Sequence, residues 1–206
     1  DLEVRESGIG VKGVPDMHVT YLDIARAAKP GWDNQRPAGV SPGLESTSYY
    51  EPPTVTWAYA ANAAIVLVDP ETGQIEIERY VEVHDAGVLV NPALADGQVK
   101  GGLVQGIGGG LLEELAYDDQ GQLITGSLMD YLLPSASDVP PITVIHHETP
   151  SPLNAFGVKG LGEGGAIAPP VVIANAVCDA LRPFKAELNS TPVRWGDVAA
   201  FFENWI

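Results

Sequence analysis

Cysteine, basic residues and long apolar runs are scarce in this chain of 206 residues. Its one cysteine, Cys178, excludes an intrachain disulfide and any metal centre built from several cysteines, and it fits a reducing compartment. The 11 Lys and Arg are outnumbered by 27 Asp and Glu, and the net charge of −16 opposes binding to nucleic acid. No run of about 18 apolar residues, the length needed to cross a bilayer, occurs in the sequence. We therefore expect no nucleic-acid partner, no membrane span and a cytoplasmic location.

Apolar residues are abundant in this chain, and charged residues are few. Hydrophobic residues make up 45% of the chain and charged residues 18%, and a chain of this length can bury a sizeable core. Residues 29–53 differ from the rest because they are rich in Pro, Gly, Ser and Asn and have no sustained period. This composition predicts an irregular surface excursion there within a globular protein.

Two neighbouring segments alternate apolar and polar residues, as half-buried strands do. Residues 58–69 and 74–84 are joined by a turn containing Asp69, Pro70 and Gly73, and together they predict a hairpin with one solvated face. In the second strand the alternation assigns these residues to one face: Ile75, Ile77, Val81 and Val83.

Capping residues and apolar spacing predict the remaining elements. Helices are expected at 21–28, 91–115, 170–181 and from 197 onward, and strands at 142–148 and 187–190. Strands and helices do not alternate regularly along the chain. The sequence therefore predicts an α+β fold in which mixed sheets pack against helices.

The predicted helix after Asn91 is unusual because seven glycines lie between positions 97 and 110. Each glycine costs about 0.5–1 kcal/mol relative to alanine inside a helix. Two adjacent i, i+4 rows carry only glycine, apart from Gln98 and Gln105, while the row 99, 103, 107 and 111 is apolar. A bare face permits either close packing of another element or approach of a ligand to the backbone. Spacing alone favours packing.

The segment from Gly160 to Gly165 matches G-x-G-x-x-G, but its context excludes a dinucleotide-binding turn. No strand leads directly into it, and the next acidic residue, Asp179, comes too soon. Glu163 stands between glycines shortly before a helix, where it is either a base beside a ligand or a solvated glutamate near a helix N-terminus. Lys159 is either a surface cation or a charge partner for an anionic cofactor. The residues alone favour the simpler interpretation in both cases.

Histidines and serines do not form a familiar catalytic pattern. The four histidines are His18, His84, His146 and His147, and no spacing among them suits a metal site. The chain also has no G-x-S-x-G segment of the kind that carries a hydrolase nucleophile. We predict no protein ligand to a metal.

An ordered set of motifs resembles the C-terminal part of the large subunit of molybdenum hydroxylases, the family of xanthine dehydrogenase, aldehyde oxidase and aerobic carbon monoxide dehydrogenase. These motifs are HDAGVLVNP at 84–92, DGQVKGGLVQGIG at 96–108, EEL at 113–115 and GVKGLGE at 157–163. The resemblance runs through essentially the whole chain. Residues 126–134 and 149–154 also match. The resemblance is therefore strongest with the carbon-monoxide-dehydrogenase-like branch of the family.

The resemblance implies that residues 1–206 are the C-terminal part of a molybdopterin-binding domain. In that family the glutamate of the GVKGLGE segment acts as the base beside the molybdenum, and Glu163 occupies this position. The residues that the resemblance assigns to the cofactor are Gln98, Gly101, Gly102, Lys159, Gly160 and Leu161. The metal itself is held through the pterin dithiolene, so protein ligands are not expected.

The resemblance also implies a molybdopterin cofactor, in the cytosine dinucleotide form, and partners that carry the [2Fe–2S] and FAD groups. The family's upstream cofactor loops are missing, so we expect the isolated chain to be inactive and to need the remainder of the molybdenum subunit. The expected reaction is oxidation of a small aldehyde, N-heterocycle or carbon monoxide with oxygen derived from water. The alternative is a non-catalytic assembly domain of the same fold that binds no cofactor alone.

Overall fold

A computed structural model describes residues 1–31 and 36–203 of the chain. The chain divides into two compact units, Asp1–Glu51 and Pro52–Ile206. Over 29–31 and 36–53, the described part of the predicted excursion, the chain forms neither helix nor strand. Residues 32–35 of that excursion lie outside the described residues.

The first unit contains a three-stranded antiparallel sheet followed by one helix. The strands are β1 (Leu2–Arg5), β2 (Gly8–Val11) and β3 (Val14–Thr20), and the helix α1 is Tyr21–Ala28. The predicted helix at 21–28 is confirmed. Its first turn is capped because the Thr20 side chain accepts a hydrogen bond from the Asp23 N–H at 3.1 Å.

The second unit is built on a sheet of three strands in the order β4 (Tyr59–Val68), β5 (Ile75–Asp85) and β6 (Ile142–His146). Strands β4 and β5 form the predicted antiparallel hairpin, and β6 pairs in parallel with β5. The Asp69 carboxylate closes the hairpin turn by accepting the Glu71 N–H at 2.7 Å. Gly73 completes it with a φ of 72°, a backbone conformation that favours glycine.

Helices cover one face of this sheet. They are α2 (Pro92–Leu111), the short α3 (Gly164–Ile167), α4 (Pro169–Ala180) and α5 (Trp195–Glu203), with a 3₁₀ turn at Arg182–Phe184. Asn91 caps α2 by accepting the Leu94 N–H at 3.1 Å. Helix α2 ends before the predicted residue 115, because the N–H groups of Leu112 and Glu113 both return to the Gly108 carbonyl. The α+β prediction is confirmed, whereas the predicted strand at 187–190 is wrong, since those residues are irregular.

The core of the second unit lies between the sheet and the apolar row of α2. Val99, Leu103 and Ile107 of that row are at most 2% exposed, as the sequence predicts. They pack in one cluster with β5 and α4 residues, which include Ile75, Ile77, Tyr80, Ile173 and Val177. The helix is thus held against ten other buried apolar side chains of this cluster.

A bulge in β5 overturns the prediction that one alternation runs through the whole strand. Ile65 pairs with Arg79 but Val66 pairs with Ile77, so β5 has one extra residue at this point. After the bulge the opposite set of side chains faces inward: Tyr80, Glu82 and His84 are 0–1% exposed. Val83, which was predicted to be buried, is 36% exposed. The extra residue exchanges the two faces, as a one-residue shift must in a structure of period two.

The two glycine rows of α2 have different neighbours. A Cβ on Gly102 would lie 3.0 Å from the Ala166 nitrogen, one on Gly106 would lie 2.7 Å from Pro169, and one on Gly110 would lie 3.1 Å from Ile173. In the other row, Cβ atoms on Gly97 and Gly109 would meet no atom within 4 Å among the described residues outside their own helical backbone. Close packing against α3 and α4 therefore explains one row only.

The two rows predict opposite effects for one alanine substitution in each. Gly106→Ala should lower the free energy of unfolding by about 1–3 kcal/mol, because the new methyl overlaps Pro169 and the Ala166 carbonyl. Gly109→Ala should raise it by up to about 1 kcal/mol through helix propensity, because the position is open. Urea unfolding of the two variants measures both. Changes of the same sign would contradict the packing assigned to the row.

Candidate functional site

The loop from Gly157 to Glu163 is held against the residues that follow β5. Lys159 N–H donates to the Ala86 carbonyl at 2.9 Å, and Val88 N–H donates to the Gly157 carbonyl at 3.0 Å. Gly87 and Gly157 both have positive φ, 67° and 69°. A Cβ on Gly87 would collide with the Gly157 carbonyl, so the close pairing of the two segments requires glycine there.

Lys159 is anchored inside the protein. Its ammonium group donates to Asp85 at 2.9 Å and to the Thr149 hydroxyl at 2.6 Å, and it lies 5.0 Å from the centre of the Tyr59 ring. The side chains of Lys159 and Asp85 are each only 9% exposed. Lys159 is therefore not a surface cation, and it already has an anionic partner in the chain.

The Asp85 carboxylate collects donors from three segments. Besides Lys159 it accepts the N–H groups of Gly87 at 2.8 Å and Thr149 at 3.2 Å, and also the Thr149 hydroxyl. Burial raises the pKa of Asp85, but the hydrogen bonds from Thr149 and Lys159 outweigh it and hold the pKa well below its usual range. The carboxylate stays ionised and joins the end of β5 to the loop.

Gln98 and Glu163 meet through the loop backbone. The Gln98 amide on α2 donates to the Gly162 carbonyl, directly before Glu163. Glu163 occupies the position before α3, its side chain makes no capping hydrogen bond, and the residue is exposed. Its carboxylate is thus accessible, while the backbone on its N-terminal side is fixed to α2.

A cavity of about 410 Å³ lies beside these groups. It is lined by Ala86, Val88, Leu89, Val90, Asn91, Leu94, Ala95, Gln98, Val158, Lys159 and Leu161. Three of the six residues that the sequence assigns to the cofactor, Gln98, Lys159 and Leu161, therefore share one cavity. Most of the other lining side chains are apolar, a common composition for a small-molecule site.

The remaining three assigned residues lie elsewhere. Gly102 is buried against Gly165 and Ala166, whereas Gly101 lies on the open row of α2. Gly160 N–H donates to the Thr56 carbonyl at 3.4 Å. The cavity thus forms without these three glycines among its lining residues.

A buried polar pair behind the loop was not identified from the sequence. His84 Nδ1 lies 2.6 Å from Glu82 Oε1, and both side chains are 0% exposed. The bulge in β5 turns these two residues inward, and the regular alternation of the strand gave no signal for it. Asp85 and Thr149 were missed as well, because their partner Lys159 is far away in the sequence.

Residues 1–31 and 36–203 contain no group of three or more His, Cys, Asp or Glu side chains arranged to hold a metal ion. Within the same residues no helix has the length and apolar character needed to cross a membrane.

Comparison with known proteins gives consistent matches over most of the chain. Residues 1–140 match a family described as the molybdopterin cofactor-binding domain. The nicotine 6-hydroxylase large subunit of Paenarthrobacter nicotinovorans is 42% identical over 193 residues, 93% of this chain and 23% of that protein. The carbon monoxide dehydrogenase large chain of Afipia carboxidovorans is 35% identical over 180 residues, 87% of this chain and 22% of that protein.

The structural comparison agrees with the sequence comparison. The crystal structure of quinoline 2-oxidoreductase from Pseudomonas putida 86 matches with a TM-score of 0.90 at 37% identity, over 98% of this chain and 26% of that one. This chain spans about a quarter of the length of the proteins it matches.

The ion pair beneath the cavity predicts a large stability effect. Asp85→Asn should lower the free energy of unfolding by about 3 kcal/mol at pH 7, because it leaves the Lys159 ammonium buried without a carboxylate. Lys100→Gln, which breaks the more exposed pair with Asp96, should cost less than about 1 kcal/mol. Urea unfolding compares the two.

The contribution of this ion pair to the free energy of unfolding should depend on pH. The folded-state pKa of Asp85 is depressed, so its contribution is present above the unfolded-state value of about 3.9 and is lost as the pH falls below it. The difference in stability between wild type and Asp85→Asn should therefore begin to shrink as the pH falls through about 4 and continue to shrink towards the lower folded-state pKa. A constant difference would contradict an ionised Asp85 in the fold.

Proposed function

This chain belongs to the family of molybdenum-binding large subunits that includes xanthine dehydrogenase and carbon monoxide dehydrogenase, and from that premise we propose that it supplies the catalytic base and part of the molybdopterin site of a molybdenum hydroxylase. The base is Glu163. The observation that carries the proposal is that Gln98, Lys159 and Leu161 line one cavity. Leu161 lies two residues before Glu163 in the chain.

The residues present fit molybdopterin in apolar lining and in donor chemistry. Leu94, Ala95 and Gln98 at the start of α2 line the cavity of about 410 Å³, and the adjacent row of the helix is bare of side chains at Gly97 and Gly101. A flat heterocycle can approach such a surface closely. Gln98 donates one N–H to Gly162, and its carboxamide keeps a second N–H and an oxygen for the polar edge of a pterin.

Lys159 has a different proposed role from that of a free counter-charge. Asp85 already neutralises its ammonium group, so an anionic cofactor would have to compete with that ion pair. We assign Lys159 to holding the loop against the residues that follow β5. Its aliphatic stem then lines the cavity, and Leu161 provides a second apolar contact for the cofactor.

Glu163 acts by taking a proton at its carboxylate. When bound, the cofactor supplies the molybdenum centre that accepts electrons from the substrate. The glutamate has glycine on both sides, is exposed and is not used as a helix cap, so a reacting group can reach it without steric hindrance. Val88, Val90 and Leu94 give the neighbouring cavity an apolar lining.

The whole protein is proposed to oxidise a small aldehyde, N-heterocycle or carbon monoxide. The relatives are named as a large subunit and a large chain, which supports partners for this chain: the rest of the molybdenum subunit and subunits with [2Fe–2S] and FAD groups. The proposed cofactor form is molybdopterin cytosine dinucleotide, and the proposed location is cytoplasmic.

Replacement of the proposed base is the direct test. In the assembled enzyme, Glu163→Gln should lower kcat about 10²–10⁴-fold, the usual effect of losing a general base, with the molybdenum content unchanged. Glu187→Gln makes the same change at an exposed glutamate outside the loop and should leave kcat within about twofold.

Two results would contradict the proposal. Turnover of Glu163→Gln within tenfold of wild type would show that another group is the base. Absence of molybdenum from an intact wild-type assembly, measured by elemental analysis, would instead favour the non-catalytic assembly domain.

A further inference from the structure

The buried pair of Glu82 and His84 is not accounted for by the proposed reaction. Its hydrogen bond uses one atom of each side chain, His84 Nδ1 and Glu82 Oε1. The other two atoms, His84 Nε2 and Glu82 Oε2, are buried and have no hydrogen-bond partner among the described residues. Enclosing such polar atoms without partners is costly, so the pair is not explained by added stability.

The imidazole of His84 lies directly behind the residue that follows Glu163. A Cβ on Gly164 would be 3.0 Å from His84 Nε2 and closer still to Cε1. Contacts this short do not occur, so the ring occupies the space that a side chain at 164 would need. The position of the ring therefore limits where the backbone can leave Glu163 and enter α3.

Glu163 is thus held from both sides along the chain. On one side Gln98 fixes the Gly162 carbonyl, and on the other side the His84 ring contacts Gly164. Glu82 in turn fixes the orientation of the ring. All of these contacts reach back to β5 or α2, which are the most buried elements of the unit.

We propose that His84, oriented by Glu82, is a positioning residue that sets the place of Glu163 through packing on Gly164. This inference rests on the proposed function, since it assumes that Glu163 is the base. Displacement of a catalytic group by about 1 Å can reduce turnover about 10²-fold. The His84 ring, which is held in the sheet, limits the position of the loop backbone at Gly164. Glycines alone cannot impose such a limit.

A double-mutant cycle in the assembled enzyme tests the contact. Gly164→Ala forces its methyl into the His84 ring and should lower kcat about 100-fold with KM within about threefold. His84→Ala removes the ring and should lower kcat about tenfold. The double variant should also lose only about tenfold, because the methyl then has room. Independent effects would instead multiply to about 1000-fold.

Urea unfolding gives a second readout that does not depend on activity. Gly164→Ala should lower the urea midpoint of the wild-type protein, and the same substitution should lower it much less in the His84→Ala background, where the methyl has room. Gly196→Ala, where a new Cβ meets no described atom within 4 Å, is the matched control and should change neither kcat nor KM by more than about twofold. Molybdenum content is measured for every variant.

Glu82→Gln keeps the shape of the pair and covers the case in which His84→Ala does not assemble. It should lower kcat about tenfold with little change in KM, and wild-type kcat would overturn the role of Glu82. Multiplicative losses of kcat in the cycle, or a stability cost of Gly164→Ala that is equal in the wild-type and His84→Ala backgrounds, would overturn the positioning role of His84. Failure of the proposed function is distinguishable, because it appears as normal turnover in Glu163→Gln whatever the cycle gives.

Discussion

The carboxylate of Asp85 is the interaction on which the arrangement of the site depends. It joins the end of β5 to the segment at Thr149 and, through Lys159, to the loop that ends at Glu163. An ion pair with little exposure is not a strong source of net stability, but removing one partner is costly. The Asp85–Lys159 ion pair therefore makes any other position of the loop along the end of β5 unfavourable. Once that position is set, Gln98 is within reach of Gly162, and Gly164 lies over His84.

The glycines of α2 divide between two purposes that the sequence could not separate. The row of Gly102, Gly106 and Gly110 lets α3 and α4 approach the helix backbone, and this approach determines where α3 begins. The second row stays open at Gly97, Gly101 and Gly109, none of which lines the cavity. Both interpretations raised by the spacing are therefore compatible with one helix, because its two rows point in different directions. The glycines of both rows together cost several kcal/mol in helix propensity. Close packing offsets this cost only in the row of Gly102, Gly106 and Gly110.

Much of the fold follows from local sequence, and the parts that do not have identifiable causes. Caps at Thr20 and Asn91 and the turn at Gly73 are local chemistry, so the hairpin and two helices could be predicted. The bulge in β5 depends on how β4 pairs with it, which no alternation within one strand reveals. The incorrect strand at 187–190 rested on four residues, too few for a period-two pattern to be decisive. Motif order assigned Gln98, Lys159 and Leu161, which line the cavity, together with three glycines that do not. The partner of Lys159 is a contact made only by folding.

The bulge also explains how an unfavourable pair came to lie behind Glu163. Without the extra residue, Val81 and Val83 would face inward and Glu82 and His84 would face solvent. An apolar side chain in place of His84 would be buried at a lower cost in free energy, since it would leave no ring nitrogen unpaired. It would lack the hydrogen bond that fixes the orientation of the ring. A residue that limits the position of a glycine-rich loop benefits from such a constraint, because the hydrogen bond to Glu82 favours one orientation of the ring. The large core between the sheet and α2 offsets the cost of burying these two polar groups. The pair in turn defines the position of Glu163, whose exposed side chain makes no capping hydrogen bond in the described part of the chain.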